Sequence, residues 1–312
     1  MTETATPALA GEFEAHRAFL WSLLYRLTGN AADADDLVQE TFVRAMERPP
    51  ARTDMPWRPW LVHVGLNLGR DLLRRRRRRG YEGPWLPSPV DTSGEQPPSY
   101  EPPAPDGSPA TRYDLLESVS FAFLLALEAL TPSQRAVLLL RDVFDYSVRE
   151  AAAALDMSEA NVKTTHLRAR RAMAVYEGGP RLPVRARQER MQQALERFLG
   201  CLAAGDVAGL EALLAADVRM LSDGGGEFVA ARRPVVGRDK VLRFLFGLAQ
   251  KAGPRPRVSV RVLNGVPAVI VDNPAPLPKW ARRTVLLLDV DEQASVRSVY
   301  GVLATRKLTA LR

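Results

Sequence analysis

Apolar positions recur at helical spacing through the first half of this chain. Four leucines between residues 20 and 27 follow the i, i+3, i+4, i+7 spacing, which predicts an amphipathic helix that ends at Thr28–Asn30. A second helix is predicted over residues 31–47, because Asn30 is a good N-cap for it. The most apolar run, Leu115–Leu130, contains two glutamates, so it predicts a buried helix rather than a membrane span.

Residues 147–173 carry the pattern of a helix-turn-helix. An apolar stripe from Val148 to Leu155 predicts one buried helix face, Asp156–Ser158 predicts the turn, and Ser158 is a good N-cap for the next helix. An ordinary amphipathic hairpin with a solvated basic face gives the same pattern, so the motif alone leaves both interpretations open. The polar and basic side chains of the second helix that suit base edges and phosphates are Asn161, Lys163, Thr164, Thr165, Arg168, Arg170 and Arg171.

The pattern changes beyond Gly178–Pro180. Amphipathic helices are predicted over residues 191–202, 207–214 and 237–252. Strands are predicted over residues 218–221, 258–263, 268–271, 284–290 and 296–302. Helices followed by a run of strands that includes one more helix predict an α+β domain with a curved sheet. A permissive hairpin turn is enough to explain the three glycines that follow Asp223.

Length, charge and cysteine usage narrow the class of protein. The 312 residues suggest two or three domains, and the net charge of +7 favours a polyanionic partner. Cys201 is the only cysteine, which excludes an intrachain disulfide and a cysteine-rich zinc site and fits a reducing compartment. The first residues lack the pattern of a signal peptide, so we expect a cytoplasmic protein that does not bind a membrane.

The second predicted helix carries a motif with a known counterpart. The stretch Asp36-Leu-Val-Gln-Glu-Thr-Phe42 resembles region 2.2 of bacterial RNA polymerase sigma factors, which docks on the coiled-coil clamp helices of the polymerase β′ subunit. A solvated charged helix face is the alternative interpretation. The resemblance implies that Leu37 and Phe42 supply apolar anchoring in a polymerase contact formed by Asp36, Leu37, Gln39, Glu40 and Phe42.

Tryptophans and arginines follow in the next predicted helix. Aromatic rings stack on unpaired bases and guanidinium groups contact phosphates, and the six arginines Arg74–Arg79 would repel one another without a polyanion nearby. The order resembles sigma regions 2.3 and 2.4, which open and read the promoter −10 element. By this resemblance the −10 contacts are Trp57, Trp60, Asn67, Arg70, Arg74 and Arg75, although the residue alone favours a core position for Trp60 over a stacking one.

The run from Leu130 to Met173 resembles sigma region 4, which reads the promoter −35 element. The seven polar and basic residues of the second helix in the helix-turn-helix would then contact that element. A buried leucine usually stands in this family where the chain has His166, and we expect Leu167 to compensate for it. The base preference of the family therefore cannot be transferred to this chain.

The segment between the two helical parts has two halves. Residues 80–110 contain nine prolines and predict an extended segment without a core of its own. Tyr81, Trp85 and Leu86 are costly to leave in water, so they predict a docking site. The sequence Trp85-Leu86-Pro87 resembles the Trp-Leu-Pro linker motif of extracytoplasmic-function (ECF) sigma factors that carry a fused SnoaL-like domain.

That subgroup also carries an Asp-Gly-Gly-Gly motif, matched here by Asp223–Gly226, and a C-terminal tail of which only Lys307 and Leu308 are matched. The resemblance implies a cone-shaped fold of the nuclear transport factor 2 superfamily. We expect Trp85 and Leu86 to pack near Asp223–Glu227, with backbone groups of the glycine turn satisfying the linker. The residues expected at this contact are Tyr81, Trp85, Leu86, Pro87, Asp223, Gly224, Gly225 and Gly226.

The resemblance covers nearly the whole chain and implies an ECF-type sigma factor regulated in cis by its C-terminal domain. It implies two all-α lobes, region 2 and region 4, and an α+β SnoaL-like domain. These occupy residues 11–80, 111–177 and 185–308, and the linker occupies residues 81–110. The expected partners are the polymerase core, through its β′ clamp helices and β subunit, and promoter DNA, with a small ligand for the C-terminal domain left open.

Two other functions remain open from the residues alone. One is a one-component helix-turn-helix regulator with a ligand-binding domain, which would need neither the 36–42 motif nor the 57–79 segment. The other is a SnoaL-like enzyme with a DNA-binding extension. No nucleophile–histidine set, phosphate loop or metal-ligand spacing is recognisable in the sequence, so we expect no catalysis, no metal and no cofactor.

Overall fold

The structure, a computed structural model, describes residues 5–49, 56–93, 115–177, 184–251 and 256–311. These residues belong to two compact units, one built from residues 1–80 and 94–178 and the other from residues 81–93 and 179–312. The second half of the predicted linker, residues 94–110, lies outside the described residues. Within the described part of the chain, no helix is long and apolar enough to cross a membrane.

The first unit is all-helical. Its first lobe comprises α1 to α3, and its second lobe comprises α4 to α8. Asn30 caps α2 by accepting a hydrogen bond from the Asp33 amide, and Thr131 opens α6 through a capping box with Gln134. The helices are α1 Ala5–Thr28, α2 Ala31–Glu47, α3 Trp57–Arg79, α4 Leu115–Val119, α5 Phe121–Ala126, α6 Pro132–Asp142, α7 Val148–Leu155 and α8 Glu159–Glu177.

One predicted helix of this unit is wrong. The apolar run 115–130 is divided into α4, α5 and a short 3₁₀ turn, because the side chain of Ser120 accepts a hydrogen bond from the Phe123 amide and starts a new helix. The helix-turn-helix is formed by α7 and α8. Asp156 ends α7 in the left-handed conformation, with φ of 52°, and the Ser158 hydroxyl accepts from the Asn161 amide at 3.2 Å.

The second unit is α+β. Its six-stranded sheet has the order β2-β1-β6-β5-β4-β3, in which β1 and β6 are parallel and all other neighbours are antiparallel. The two-residue strand β2 is too short to leave a periodic signal in the sequence. The elements are α9 Val184–Ala204, α10 Val207–Leu213, β1 Leu214–Asp223, β2 Val235–Val236, α11 Arg238–Lys251, β3 Arg257–Leu263, β4 Val266–Asp272, β5 Arg283–Val290 and β6 Val296–Val302.

The three helices pack on one face of this sheet. Leu195 and Phe198 of α9 and Leu245 of α11 share an apolar core with Val269 and Leu288 of the sheet. Strand alternation places Ile270 and Leu287 on the opposite face, and both are also buried. Both faces of the sheet are therefore covered. The segment 81–93 also belongs to this unit rather than to the helical one.

Candidate polymerase and promoter interfaces

The outer face of α2 is polar and exposed. Asp36, Gln39 and Glu40 are exposed, and Glu40 forms a 3.0 Å ion pair with Arg44 one turn later. The exposed apolar side chains of this helix are Val43 and Met46, which is 61% exposed. Helical periodicity thus separates a solvent face from the core of the first lobe.

The structure corrects the anchoring expected of Leu37 and Phe42. Both lie in the core of the lobe, with only 6% and 5% of their surface exposed. The Phe42 ring packs edge-to-face against Phe13, with 4.7 Å between ring centroids. Because the two side chains are already covered by their own lobe, apolar contacts with a partner would come from Val43 and Met46 instead.

The residues expected at the −10 element lie along α3, and the first two are half-buried. The rings of Trp57 and Trp60 meet edge-to-face with 6.5 Å between centroids. Arg74 forms an ion pair of 2.7 Å with Asp71, and Arg75 is exposed. Half-buried tryptophans beside exposed arginines leave ring edges and cationic groups available for a nucleic acid.

Two of the residues expected at the −10 element, Asn67 and Arg70, together with His63 hold the C-terminal end of α7. The Arg70 guanidinium donates to the Leu155 carbonyl at 3.0 Å, and His63 Nδ1 contacts the Ala154 carbonyl at 3.0 Å. Asn67 joins them, since its amide lies 3.1 Å from His63 Nε2 and its oxygen accepts from Arg70 at 3.2 Å. Burial and the nearby charge of Arg74 lower the pKa of Arg70. These groups satisfy carbonyls that the end of a helix leaves unpaired.

A second set of arginines joins the same two lobes near Glu128. The Glu128 carboxylate accepts from Arg76 of α3 at 3.0 Å and from Arg135 of α6 at 2.7 Å. Arg135 is 2% exposed and also donates to the carbonyls of Leu27 and Leu127 at 2.9 and 2.8 Å. Burial lowers the pKa of Arg135 to about 10, so the group remains charged at neutral pH.

The helix expected at the −35 element is open to solvent. Asn161, Thr164 and Arg168 are exposed, whereas Thr165 is half-buried and donates to the Asn161 side chain at 3.2 Å. The basic residues of α8 that are exposed are Lys163, Arg168, Arg170 and Arg171. The buried side of this helix consists of Val162, Ala169 and Met173.

The compensation expected from Leu167 is absent, because this side chain is 52% exposed. His166 instead lies against α6, where its Nε2 is 2.8 Å from a carboxylate oxygen of Asp142. Asp142 is buried, and His166 is its polar partner on α8. The histidine at this position therefore provides a polar partner for a buried acid.

A cluster that we call the linker clamp joins residues 81–86 to the C-terminal sheet. It consists of Tyr81, Trp85, Leu86, Asp223 and Lys307. The Asp223 carboxylate is fully buried and accepts from the Tyr81 hydroxyl at 2.6 Å and from the Leu86 amide at 2.7 Å. Lys307 forms an ion pair with Asp223 and donates to the Leu86 carbonyl. Its ammonium group lies 3.9 Å from the centre of the Trp85 ring.

A second contact fixes the end of the same segment. The side-chain oxygen of Asn264 accepts from the Val90 backbone amide at 2.9 Å, and the backbone amide of Asn264 donates to the Val90 carbonyl at 2.9 Å. The Thr92 amide donates to the Val262 carbonyl at 2.9 Å, and Asp91 bridges Leu263 in antiparallel register. Residues 90–92 therefore add a short strand to the edge of β3.

The glycine turn has a different role from the one expected. Gly225 and Gly226 have φ values of 59° and 75°, which disfavour a side chain. A Cβ at Gly225 would lie 2.9 Å from that of Ala304, and one at Gly226 would lie 2.8 Å from a Glu82 oxygen. The glycines bring the turn close to its neighbours, but the linker's backbone groups are satisfied by the side chains of Asp223 and Lys307.

Comparison with known proteins identifies the family. The model of Sigma-70 region 2 matches residues 13–79, and that of Sigma-70 region 4 matches residues 120–173. The ECF RNA polymerase sigma factor SigJ of Mycobacterium tuberculosis is 38% identical over 249 residues, covering 78% of this chain and 74% of SigJ. This chain belongs to the ECF sigma factors. It binds the RNA polymerase core and directs promoter-specific initiation of transcription, and its relatives are not enzymes.

Further similarity extends over most of this sigma factor. The crystal structure of SigJ is similar with a TM-score of 0.68 and 29% identity, covering 96% of this chain and 98% of that one. The ECF sigma factor SigG of M. tuberculosis is 36% identical over 226 residues, covering 66% of this chain and 60% of SigG. The fold is thus two helical sigma lobes followed by an α+β SnoaL-like domain.

Sequence reasoning missed two residues of the linker contact in this sigma factor. Lys307 lies in a tail that matches the subgroup poorly, and a lysine near a C-terminus usually predicts a solvated side chain. Asn264 lies in a hairpin turn with φ of 50°, where asparagine is common for conformational reasons alone. One signal could have indicated a partner such as Lys307. A buried aspartate at the end of a strand, as at Asp223, requires a cationic or hydrogen-bond-donating partner.

Proposed function

We propose that this sigma factor binds the β′ clamp helices of the polymerase through the exposed face of α2, and that it also contacts the β subunit. In this proposal α3 contacts the −10 element and α8 contacts the −35 element, in the cytoplasm where the polymerase acts. The observation that carries the proposal is the solvent-facing set Asp36, Gln39 and Glu40, which lies within the matched region 2.

The charge of Glu40 provides the test. Glu40→Lys reverses a charge at the proposed interface, and Glu14→Lys makes the same change at an exposed position of α1. We expect Glu40→Lys to weaken binding of the full chain to core polymerase at least about tenfold, or roughly 1.4 kcal/mol, with an unchanged far-UV circular dichroism spectrum. Equal core affinities for the two variants would remove α2 from the interface.

The contacts between the two lobes indicate a resting state of this sigma factor. Asn67 and Arg70, which the proposal assigns to the −10 element, are engaged with His63 and with the α7 carbonyl of Leu155. Promoter binding then exchanges these hydrogen bonds for contacts with DNA. The ion pair between buried Arg135 and partly exposed Glu128 makes such an exchange accessible, because an ion pair that must be desolvated contributes little net stability to an interface.

The linker clamp supports regulation in cis by the SnoaL-like domain. Clamp residue Tyr81 follows α3 after Gly80 alone, so the clamp fixes one end of the connection between the two DNA-contacting lobes. A ligand or partner that prefers the closed clamp over the open one shifts their balance by its difference in affinity.

A small-molecule site in the C-terminal domain has less support. The described part of that unit buries five polar or charged residues, Ser88, Ser222, Asp223, Asn264 and Lys307. Ser88 is part of the linker segment 81–93. The side chains of Asp223, Asn264 and Lys307 hydrogen-bond to the backbone of that segment, at Leu86 and Val90. The interior between the helices and the sheet is filled by apolar side chains. The buried chemistry of this domain therefore serves the linker rather than catalysis.

A further inference from the structure

The charge of this sigma factor is divided unequally between its two units. Residues 81–93 and 179–312 contain 22 Lys and Arg against 14 Asp and Glu, whereas the rest of the chain contains 21 against 22. The net charges are therefore +8 and −1, which together give the +7 of the whole chain. The unit that contains both promoter-contacting lobes is nearly neutral, and the excess positive charge lies in the SnoaL-like unit.

Part of this charge forms one surface on α11. The helix buries Val241, Leu242 and Leu245 on its inner side. Its exposed side carries Lys240, Arg243 and Lys251, which lie within about a third of a helical turn of one another when projected along the axis.

The cations of this face are not neutralised by the fold. Asp239 is the only acid in α11, and its backbone carbonyl rather than its carboxylate accepts the hydrogen bond from Arg243, at 3.3 Å. Among the described residues, Lys240, Arg243 and Lys251 have no ion-pair partner. A row of unpaired cations on a folded helix matches a ligand with regularly spaced negative charge.

We call the set Lys240, Arg243 and Lys251 the α11 basic face.

The covalent chain decides which polyanion reaches this face. Gly80 alone separates Arg79, the last residue of α3, from Tyr81 of the linker clamp. While the clamp is closed, the SnoaL-like domain remains tethered within one residue of the helix that region 2 uses on DNA. The nearest extended polyanion during initiation is therefore the promoter DNA itself.

We propose that the α11 basic face binds the phosphate backbone of the DNA engaged by this sigma factor. The contact is independent of base sequence, because lysine and arginine side chains on an exposed helix face meet phosphates as point charges. The SnoaL-like domain then contributes affinity for DNA directly, in addition to any effect it has through the linker.

The test compares two double variants that lose the same charge. Lys240→Gln with Arg243→Gln removes two cations from the basic face. Arg197→Gln with Arg257→Gln removes two exposed cations from α9 and from β3, which lies at the opposite edge of the sheet from β2. Each full-length protein is titrated with a fluorescein-labelled duplex of about 30 base pairs of mixed sequence, in NaCl from about 50 to 300 mM, and anisotropy gives the affinity.

We expect the first variant to bind DNA about an order of magnitude more weakly at about 100 mM salt, with the slope of log K against log salt smaller by about two. The control variant should stay within about twofold of wild type. Equal losses of DNA affinity in the two variants would show that only net charge matters. Unchanged DNA binding by the basic-face variant would show that the face does not contact DNA. Either result overturns the proposal.

Binding to core polymerase is measured in parallel for both variants. A loss of core affinity with unchanged DNA binding would assign the face to an acidic protein surface and would also overturn the proposal. Because the duplex assay needs no polymerase, its outcome is separate from that of the α2 interface.

Discussion

At the scale of single residues, buried charge explains where this sigma factor departs from its family's pattern. His166 occupies a position where leucine is usual, and Asp142 lies 2.8 Å from it in the core of the second lobe. An aspartate that loses its polar partner in such a site remains desolvated without compensation. The pair His166–Asp142 therefore acts as one unit that holds α8 against α6.

This pairing predicts strong coupling in stability. His166→Leu should lower the free energy of unfolding by roughly 1–3 kcal/mol, although leucine is apolar and of similar size. The double variant His166→Leu with Asp142→Leu should recover part of that loss, since an apolar pair replaces the buried polar pair. Urea denaturation of the single and double variants measures the coupling, and strictly additive losses would show that the two residues do not depend on each other.

At the scale of elements, the sequence predicts what local signals determine. The bounds of α2 follow from the Asn30 cap, and β6 matches its predicted range because alternation and flanking turns define it. The division of the 115–130 run depends on a single hydrogen bond to Ser120, which apolar content conceals. The contact of α3 with α7 joins residues about 85 to 90 positions apart in sequence, and no local pattern reports it.

The lobe contact predicts a shift in the resting state. Glu128→Ala removes the carboxylate shared by Arg76 and Arg135 and leaves a buried guanidinium without its ion-pair partner. We expect the lobes to separate more often, which small-angle X-ray scattering of the full chain should register as a larger radius of gyration. Glu159→Ala, an exposed change at the start of α8, is the control.

Two results would contradict this view of the lobes. One is a Glu128→Ala chain with the scattering profile of the wild type. The other is an equal change in the Glu159→Ala chain, because that residue has no part in the network.

At the scale of the whole molecule, the sequence predicts the order of parts but not the division between them. The linker aromatics indicate a docked segment, and the structure assigns residues 81–93 to the C-terminal unit. The clamp chemistry was not predictable in detail, because Asp223 and Lys307 are 84 positions apart and meet only in the folded sheet. Composition alone concealed a second feature, the concentration of net positive charge in the unit that does not contain the two sigma lobes.

We expect the linker clamp to control the activity of this sigma factor. Transcription from a promoter selected with the wild-type holoenzyme tests this, using Trp85→Ala, Lys307→Met and their combination. The Lys307 ammonium lies 3.9 Å from the centre of the Trp85 ring, so the effects of the two substitutions should be coupled. Hydrogen exchange at the Leu86 and Val90 amides reports independently whether each variant has opened the clamp.

We expect both single variants to raise exchange at these amides and to change the transcription rate in the same direction, with the double variant no further from wild type than the stronger single one. Wild-type transcription rates in variants whose linker amides exchange freely would contradict the account, because the clamp would then be open without consequence for initiation.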